Sequence, residues 1–329
     1  METKILPPDE PALALAAQTI RGGGLVAFPT ETVYGLGADA TNGRAVRSIF
    51  QAKGRPSDNP LIVHLWDPAQ LSDYASELTD CAKLLAKAFM PGPITLVVKK
   101  RACIAEEVSA GLDSVGIRVP ENADARRFLK ACALPVAAPS ANTSTRPSPT
   151  AAMHVYEDLA GKIPLILDGG ACKVGIESTV VNVMGDVPIL LRPGYVTAEQ
   201  IRAVCGEVRW ADPSDGRVRS PGVKYRHYAP SCDVLLIRPE SVGRIPDLLK
   251  ENAGRRITLV CTEAVAQANP DAKALILGRT ADDMAQHLFD LLRTAEKFSD
   301  LILLQAPEDG GVGSSVLNRM MKSCGGNIL

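Results

Sequence analysis

The sequence predicts an α/β protein in two parts: a twisted mixed sheet with helices, followed by a smaller Rossmann-like parallel sheet. Three observations carry this. Up to about residue 205, short apolar runs and amphipathic helical stretches interleave without strict alternation. From Asp233 onward, strand and helix alternate regularly. Between them lies a stretch with three prolines, two glycines and little periodicity, the mark of a boundary.

The first helix is expected over Pro11–Arg21. Asp9 can cap it, Pro11 sits in its first turn, and Leu13, Ala16, Ala17 and Ile20 share one face. Gly22–Gly24 stop it, and Leu25–Phe28 reads as a short buried strand. A second helix spans Gly43–Lys53, with Ala45, Val46, Ile49 and Phe50 aligned. Strands follow at Leu61–Leu65, Ile94–Lys99, Val115–Val119, Val136–Ala138, Leu165–Leu167, Ser178–Val183 and Ile189–Arg192. Helices at Thr79–Phe89, Ala123–Ala133 and Ala151–Leu159 lie between some of them, and Thr197 with Gln200 offers a capping box for another. In the C-terminal part, strands are expected at Val234–Ile237, Ile257–Val260, Ala274–Leu277 and Leu301–Leu304. Helices are expected at Ser241–Lys250, Glu263–Ala268, Ala281–Phe298 and Ser314–Ser323. No Gly-x-Gly-x-x-Gly turn follows the first of these strands, which argues against a separate dinucleotide site there. The expected domains are therefore 1–208, a linker over 209–231, and 232–329.

Composition narrows the function. With 46% hydrophobic and 22% charged among 329 residues, the chain can bury more than one core. Lysines and arginines total 36 against 37 acids, which excludes a polyanion binder acting through its whole surface but leaves room for a local basic cleft. No apolar run approaches the ~18 residues needed to span a bilayer. Met1–Glu10, with three acids and two prolines, makes a poor signal peptide. A cytoplasmic protein is expected. The eight cysteines are never closer than 22 residues apart, and the four histidines are isolated, so a tetrahedral metal site is not expected. Cys132 and Cys261 sit beside apolar runs, where burial is the ordinary outcome.

Four segments are polar where neither core nor surface requires it. Pro29–Gly37 places hydroxyls, Glu31 and glycines directly after a buried strand, which suits a ligand-binding turn and equally an ordinary loop with self-satisfied side chains. Lys53-Gly54-Arg55 sets two cations at a helix end, fit for phosphate oxygens or simply for the helix dipole. Arg118 falls inside an apolar strand, where it needs a partner: an internal acid or a substrate carboxylate. Pro139–Thr150 brings small residues, hydroxyls and an amide to a strand end. The linker adds five cations against two acids, with Tyr225, His227 and Tyr228 in one short run, which suggests that it docks on something. Neither a P-loop nor a Gly-x-Ser-x-Gly elbow is present.

In order, PTETVYGLG, KGR with NPLIVH, PGPITLV, GIRVP, APSAN with SPT, DGG with VGIESTVV, and LRPG resemble the YrdC-like domain. PGVKYRHYAP and the α/β part after it resemble the longer, two-domain members of that family, the threonylcarbamoyl-AMP synthases. Val223 stands where that linker is expected to carry methionine, and it keeps an apolar contact. The resemblance implies a YrdC-like twisted sheet and a catalytic tetrad of Lys53, Arg55, Ser140 and Asn142. It implies ATP contacts from Arg55, Asn59, Ser114, Ser140, Ser148 and Arg192, and from Tyr225 or Tyr228. It implies L-threonine contacts from Thr32, His64, Arg118, the Ala138 backbone and Ser178. The reaction it implies joins L-threonine, bicarbonate or CO2, and ATP into threonylcarbamoyl-AMP and pyrophosphate. Mg²⁺ would arrive on the nucleotide rather than on protein side chains. The product would pass to a threonylcarbamoyl transferase complex acting on tRNA. Two other readings stand beside this one. A non-enzymatic RNA-binding maturation or translation factor would rely on the linker's net +3, yet only 4% of residues are aromatic. A carbamoyltransferase would need additional domains.

Overall fold

The computed structural model describes residues 1–212 and 227–329. They divide into two compact units: 1–144, 149–173 and 177–212 in the first, and 145–148, 174–176 and 227–329 in the second.

The first unit is a single sheet of strands β1 (Lys4–Leu6), β2 (Val26–Phe28), β3 (Gly35–Asp39), β4 (Ile62–His64), β5 (Ile94–Lys99), β6 (Ser114–Arg118), β7 (Val136–Ala137), β8 (Leu165–Leu167), β9 (Thr179–Asn182), β10 (Ile189–Arg192) and β11 (Arg209–Trp210). Their order is β1-β8-β2-β3-β7-β4-β6-β5-β9-β10-β11, with parallel and antiparallel neighbours mixed, as expected. The helices are α1 (Glu10–Arg21), α2 (Gly43–Lys53), α3 (Leu71–Tyr74), α4 (Asp80–Phe89), α5 (Glu106–Ser109), α6 (Ala123–Cys132), α7 (Ala152–Leu159) and α8 (Ala198–Cys205). Asp9 caps α1 through the Ala12 N–H, and α8 carries the expected Thr197–Gln200 capping box.

Alternation along the strands gives the sheet two apolar faces. Ala27, Val63, Leu96 and Ile117 join a core that includes Ile49 and Phe50 of α2 and Leu85 of α4. Val26, Phe28, Val136 and Leu165 join Leu13 and Ile20 of α1 and Phe128 of α6. Residues one step out of phase with the first core therefore point to the second face, which decides where the polar side chains of β4, β5 and β6 stand. Cys132 and Cys261 are buried as expected.

Several elements differ from the sequence reading, among them the one-turn helices α3 and α5, which it did not contain. β1 was not foreseen, because three half-exposed residues carry no periodicity and owe their form to parallel pairing with β8. β3 begins at Gly35, inside the run read as a loop through Gly37. Its glycines look like turn residues, yet a Cβ on Gly37 would stand 2.8 Å from Val136 Cγ1, so this strand needs glycine to let its neighbours in. Arg209–Trp210, read as the start of the linker, pair in parallel with β10. The helix expected from Ser241 is a 3₁₀ turn over Pro239–Arg244 followed by α9 (Ile245–Glu251), because Pro246 has no N–H and sits where an α-helix begins.

The second unit contains β12 (Asp233–Ile237), β13 (Ile257–Cys261), β14 (Ala274–Ile276) and β15 (Leu301–Gln305), all parallel, in the order β12-β15-β13-β14. Besides α9 it carries α10 (Glu263–Ala268), α11 (Ala281–Ala295) and α12 (Val312–Ser323). This is the parallel α/β arrangement that the regular alternation predicts.

Candidate active site

Three neighbouring strands place a polar row on the second face of the large sheet. His64 ends β4 and stands in register with Arg118, which ends β6. Leu96 of β5 pairs with Ile117, so one step along the ladder Thr95 lies opposite Arg118. All three are buried, among strand residues that are mostly apolar.

Each finds a specific partner. Arg118 donates from Nη2 to Glu31 Oε1 at 2.6 Å and from Nη1 to Thr32 Oγ1 at 2.8 Å. Glu31 and Thr32 come from the loop after β2. There Thr30 donates to the Val33 carbonyl at 2.7 Å and accepts the N–H groups of Thr32 and Val33. With its single proton spent, Thr30 is the acceptor in its 2.8 Å contact with Thr32, whose hydroxyl is thereby fixed as well. The loop is locked by its own hydroxyls. Burial pushes the Cys172 thiol up to about 12, and it lies close enough to feel the Thr30 N–H and the Glu31 and Arg118 charges.

His64 sits with Nδ1 3.1 Å from the Ile62 carbonyl and with its ring perpendicular to that of Phe28, 5.8 Å between centroids. Burial, reinforced by the Arg118 charge, lowers its pKa to about 3 against the opposing pull of the Ile62 and Val136 carbonyls. It is a neutral imidazole. Beside it, the Ala138 N–H is held by the Ile62 carbonyl at 2.9 Å.

The row continues past β5. Ser178 Oγ is 2.8 Å from Thr95 Oγ1. Arg192, at the end of β10, donates to the Ser178 carbonyl from Nε (3.1 Å) and Nη2 (2.9 Å), and reaches Ser178 Oγ at 3.2 Å. Glycine is needed here: a Cβ on Gly194 would meet Thr179 N at 2.3 Å and Ser178 C at 2.6 Å.

A second cluster gathers Lys53, Ser140 and Asn142 of the expected tetrad. α2 ends at Lys53, and Gly54 takes the left-handed conformation (φ 60°) that turns the chain out of the helix. The buried Lys53 ammonium donates to the carbonyls of Ser140 and Asn142, and Ser140 Oγ donates to Asn142 Oδ1 at 2.5 Å. Arg55 Nη2 reaches the carbonyls of Asn59 and Pro60, both at 3.4 Å. Lys53, Ser140 and Asn142 thus form one unit, with Arg55 two and Asn59 six residues along the chain from Lys53. The bridge of Gly35 with Ser140, and the bond from Ala141 N–H to the Tyr34 carbonyl, tie this cluster to the loop that carries Glu31 and Thr32.

Not every expected residue falls into these groups. Ser114 opens β6, at the opposite end of that strand from Arg118. Ser148 is buried and counts with the second unit. Tyr228, also of the second unit, packs its ring 5.1 Å from Phe289. Tyr225 lies outside the described residues. Two residues were missed by the sequence reading as site members. Glu31 was visible as a carboxylate between two threonines after a buried strand, a signal that names a loop but not its partner. Thr95, inside a strand of apolar residues, gave none. Among the described residues, no group of three His, Cys, Asp or Glu side chains is placed to hold a metal ion.

The chain resembles known proteins over nearly its whole length. The model of the Sua5–YciO–YrdC family, described as "Telomere recombination", matches residues 18–194, and that of the threonylcarbamoyl-AMP synthase C-terminal domain matches 196–325. The threonylcarbamoyl-AMP synthase of Bacillus subtilis is 44% identical, covering 99% of this chain and 97% of its own. That of Pyrococcus abyssi is 42% identical, covering 98% and 96%. The crystal structure of P. abyssi Sua5 complexed with L-threonine superposes with a TM-score of 0.94 at 41% identity, covering 99% of both chains. The chain therefore belongs to the Sua5–YciO–YrdC family, in the two-domain threonylcarbamoyl-AMP synthase group.

Proposed function

We propose that this enzyme is an L-threonylcarbamoyladenylate synthase whose amino-acid pocket is the polar row and whose nucleotide side is the Lys53–Ser140–Asn142 cluster. The observation that carries it is Arg118, a buried guanidinium at a strand end, next to a neutral histidine and three hydroxyls. That set suits a small hydroxylated amino acid: the cation takes the carboxylate, while Thr32, Ser178, the Ala138 backbone and His64 surround the rest.

The chemistry needs no side-chain nucleophile. The amine of threonine condenses with bicarbonate, releasing water, or adds to CO2, releasing a proton, and either way forms a carbamate. A carbamate oxygen attacks the α-phosphorus of ATP, and pyrophosphate leaves. The protein's task is to juxtapose anions and offset their charge. Arg55, Asn59, Ser114, Ser140, Ser148 and Arg192 are assigned to the nucleotide, with Tyr225 or Tyr228. Lys53 and Asn142 hold the loop that presents Ser140. Magnesium, when bound with the nucleotide, offsets charge on the leaving pyrophosphate. The adenylate would be consumed by a transferase that modifies tRNA, which sets the reaction in the cytoplasm. The test is incubation with labelled bicarbonate, ATP and each of several amino acids. Label in an adenylate with threonine alone supports the reading; its absence rejects it.

A further inference from the structure

On the first face of the large sheet, away from the polar row, two cysteines 124 residues apart in the chain meet. α4 turns Cys81, Ala82, Leu85 and Ala86 inward, and α8 does the same with Ala198, Ile201 and, on its last turn, Cys205. The two Sγ atoms stand 3.0 Å apart, and neither belongs to a disulfide. Among the described residues, no other two thiols are in contact. Both helices are tied to the ends of β9. Thr79 caps α4 and donates to the Val183 carbonyl at 2.8 Å, and Thr179 donates at 2.6 Å to the Val196 carbonyl, one residue before the α8 cap. The meeting of the thiols is therefore set by two anchored helices.

The two sulfurs differ in what they can do. Burial, with the Cys205 thiol beside it, pushes the Cys81 thiol up to about 12, so it gives little thiolate. Cys205 is only half-buried and stays within reach of a small oxidant. We propose that Cys81 and Cys205 form a redox-modification site, which hydrogen peroxide converts into a disulfide that fastens α8 to α4. The Cys205 sulfur attacks the peroxide, the O–O bond breaks, and a sulfenic acid and one water result. The Cys81 sulfur then displaces the hydroxyl group as a second water, its own proton leaving with it, and the S–S bond forms. Two thiols are oxidised and one peroxide is reduced. The sulfurs need to close by only about 1 Å to reach bonding distance. A sulfenic acid with a thiol already in contact is spared further, irreversible oxidation, and a reductant restores the pair. Among the described residues, the exposed Cys103 has no thiol against it.

The experiment treats the full chain with a few equivalents of hydrogen peroxide, alkylates the remaining thiols and reads a protease digest by mass spectrometry. A peptide pair joined through Cys81 and Cys205 should accumulate, and dithiothreitol should release it. The disulfide closes a long loop, so the oxidised chain should melt roughly 5–15 °C higher without dithiothreitol than with it. Cys205→Ser should give no joined peptide, leave Cys81 as a thiol and melt alike with and without dithiothreitol. Cys103→Ser should behave as the wild-type chain does. Peroxide that leaves both thiols untouched, or that carries Cys205 to a sulfinic acid with no joined peptide, overturns the proposal in the wild-type chain alone. So does joining of either cysteine to Cys103 instead. A joined pair whose melting temperature ignores dithiothreitol overturns the fastening of α8 to α4.

Discussion

His64 and Arg118 stand in register across adjacent parallel strands, and burial, reinforced by that cation, keeps the imidazole uncharged. Its pKa of about 3 in the fold lies below the ordinary histidine value of 6.5. The unfolded chain therefore takes up this proton first as pH falls. Stability from His64 is fully present above about pH 6.5 and drains away toward pH 3, at up to about 1.4 kcal/mol per pH unit. Urea unfolding from pH 7 to 4 should show a steeper loss in the wild-type chain than in His64→Gln. Identical slopes would mean that the ring is not held neutral.

Arg118 engages two acceptors from two different nitrogens, which lysine cannot reproduce. Arg118→Ala would leave Glu31 buried and alone, at a cost of about 3–5 kcal/mol to folding. Arg118→Lys retains the charge and is the better probe. Its KM for threonine should rise about tenfold, in proportion to a lost charge-assisted bond, with the KM for ATP little changed. A rise confined to ATP would assign Arg118 to the nucleotide instead.

Gly194 has backbone atoms of Glu177, Ser178 and Thr179 where a side chain would go, the nearest at 2.3 Å. Gly194→Ala should cost about 1–3 kcal/mol by overpacking, and because the strain falls on Ser178 it should lower kcat/KM for threonine. Gly185, with nothing within 4 Å, is the control. Its alanine variant should match wild type in denaturant midpoint and in activity.

Lys53→Met keeps the aliphatic stem and removes the donor to the carbonyls of Ser140 and Asn142. Each abandoned buried carbonyl costs about 1–3 kcal/mol. The midpoint of unfolding should fall, and nucleotide affinity should fall with it while threonine affinity holds. Unchanged stability would show that the loop does not depend on this ammonium.

Much of this was legible in the chain itself. α2 and β10 were placed residue for residue, because amphipathic spacing and a glycine at its end mark α2, and a short branched apolar run marks β10. β3 and β11 were not, because glycines that admit a neighbour look like glycines that make a turn, and a two-residue strand exists only through its partner. At the site, Arg118 announced itself as a charge in an apolar strand. That its partner is Glu31 was not readable, since the two lie 87 residues apart and meet only through the sheet order.

Lys53 is only 2% exposed although its amine is among the most reactive groups a protein carries. An acylating reagent applied briefly to the native chain will label surface lysines and spare this one. The time at which Lys53 acquires label therefore clocks the opening of the loop that it fastens, and nucleotide binding should slow that clock without altering the labelling of the others.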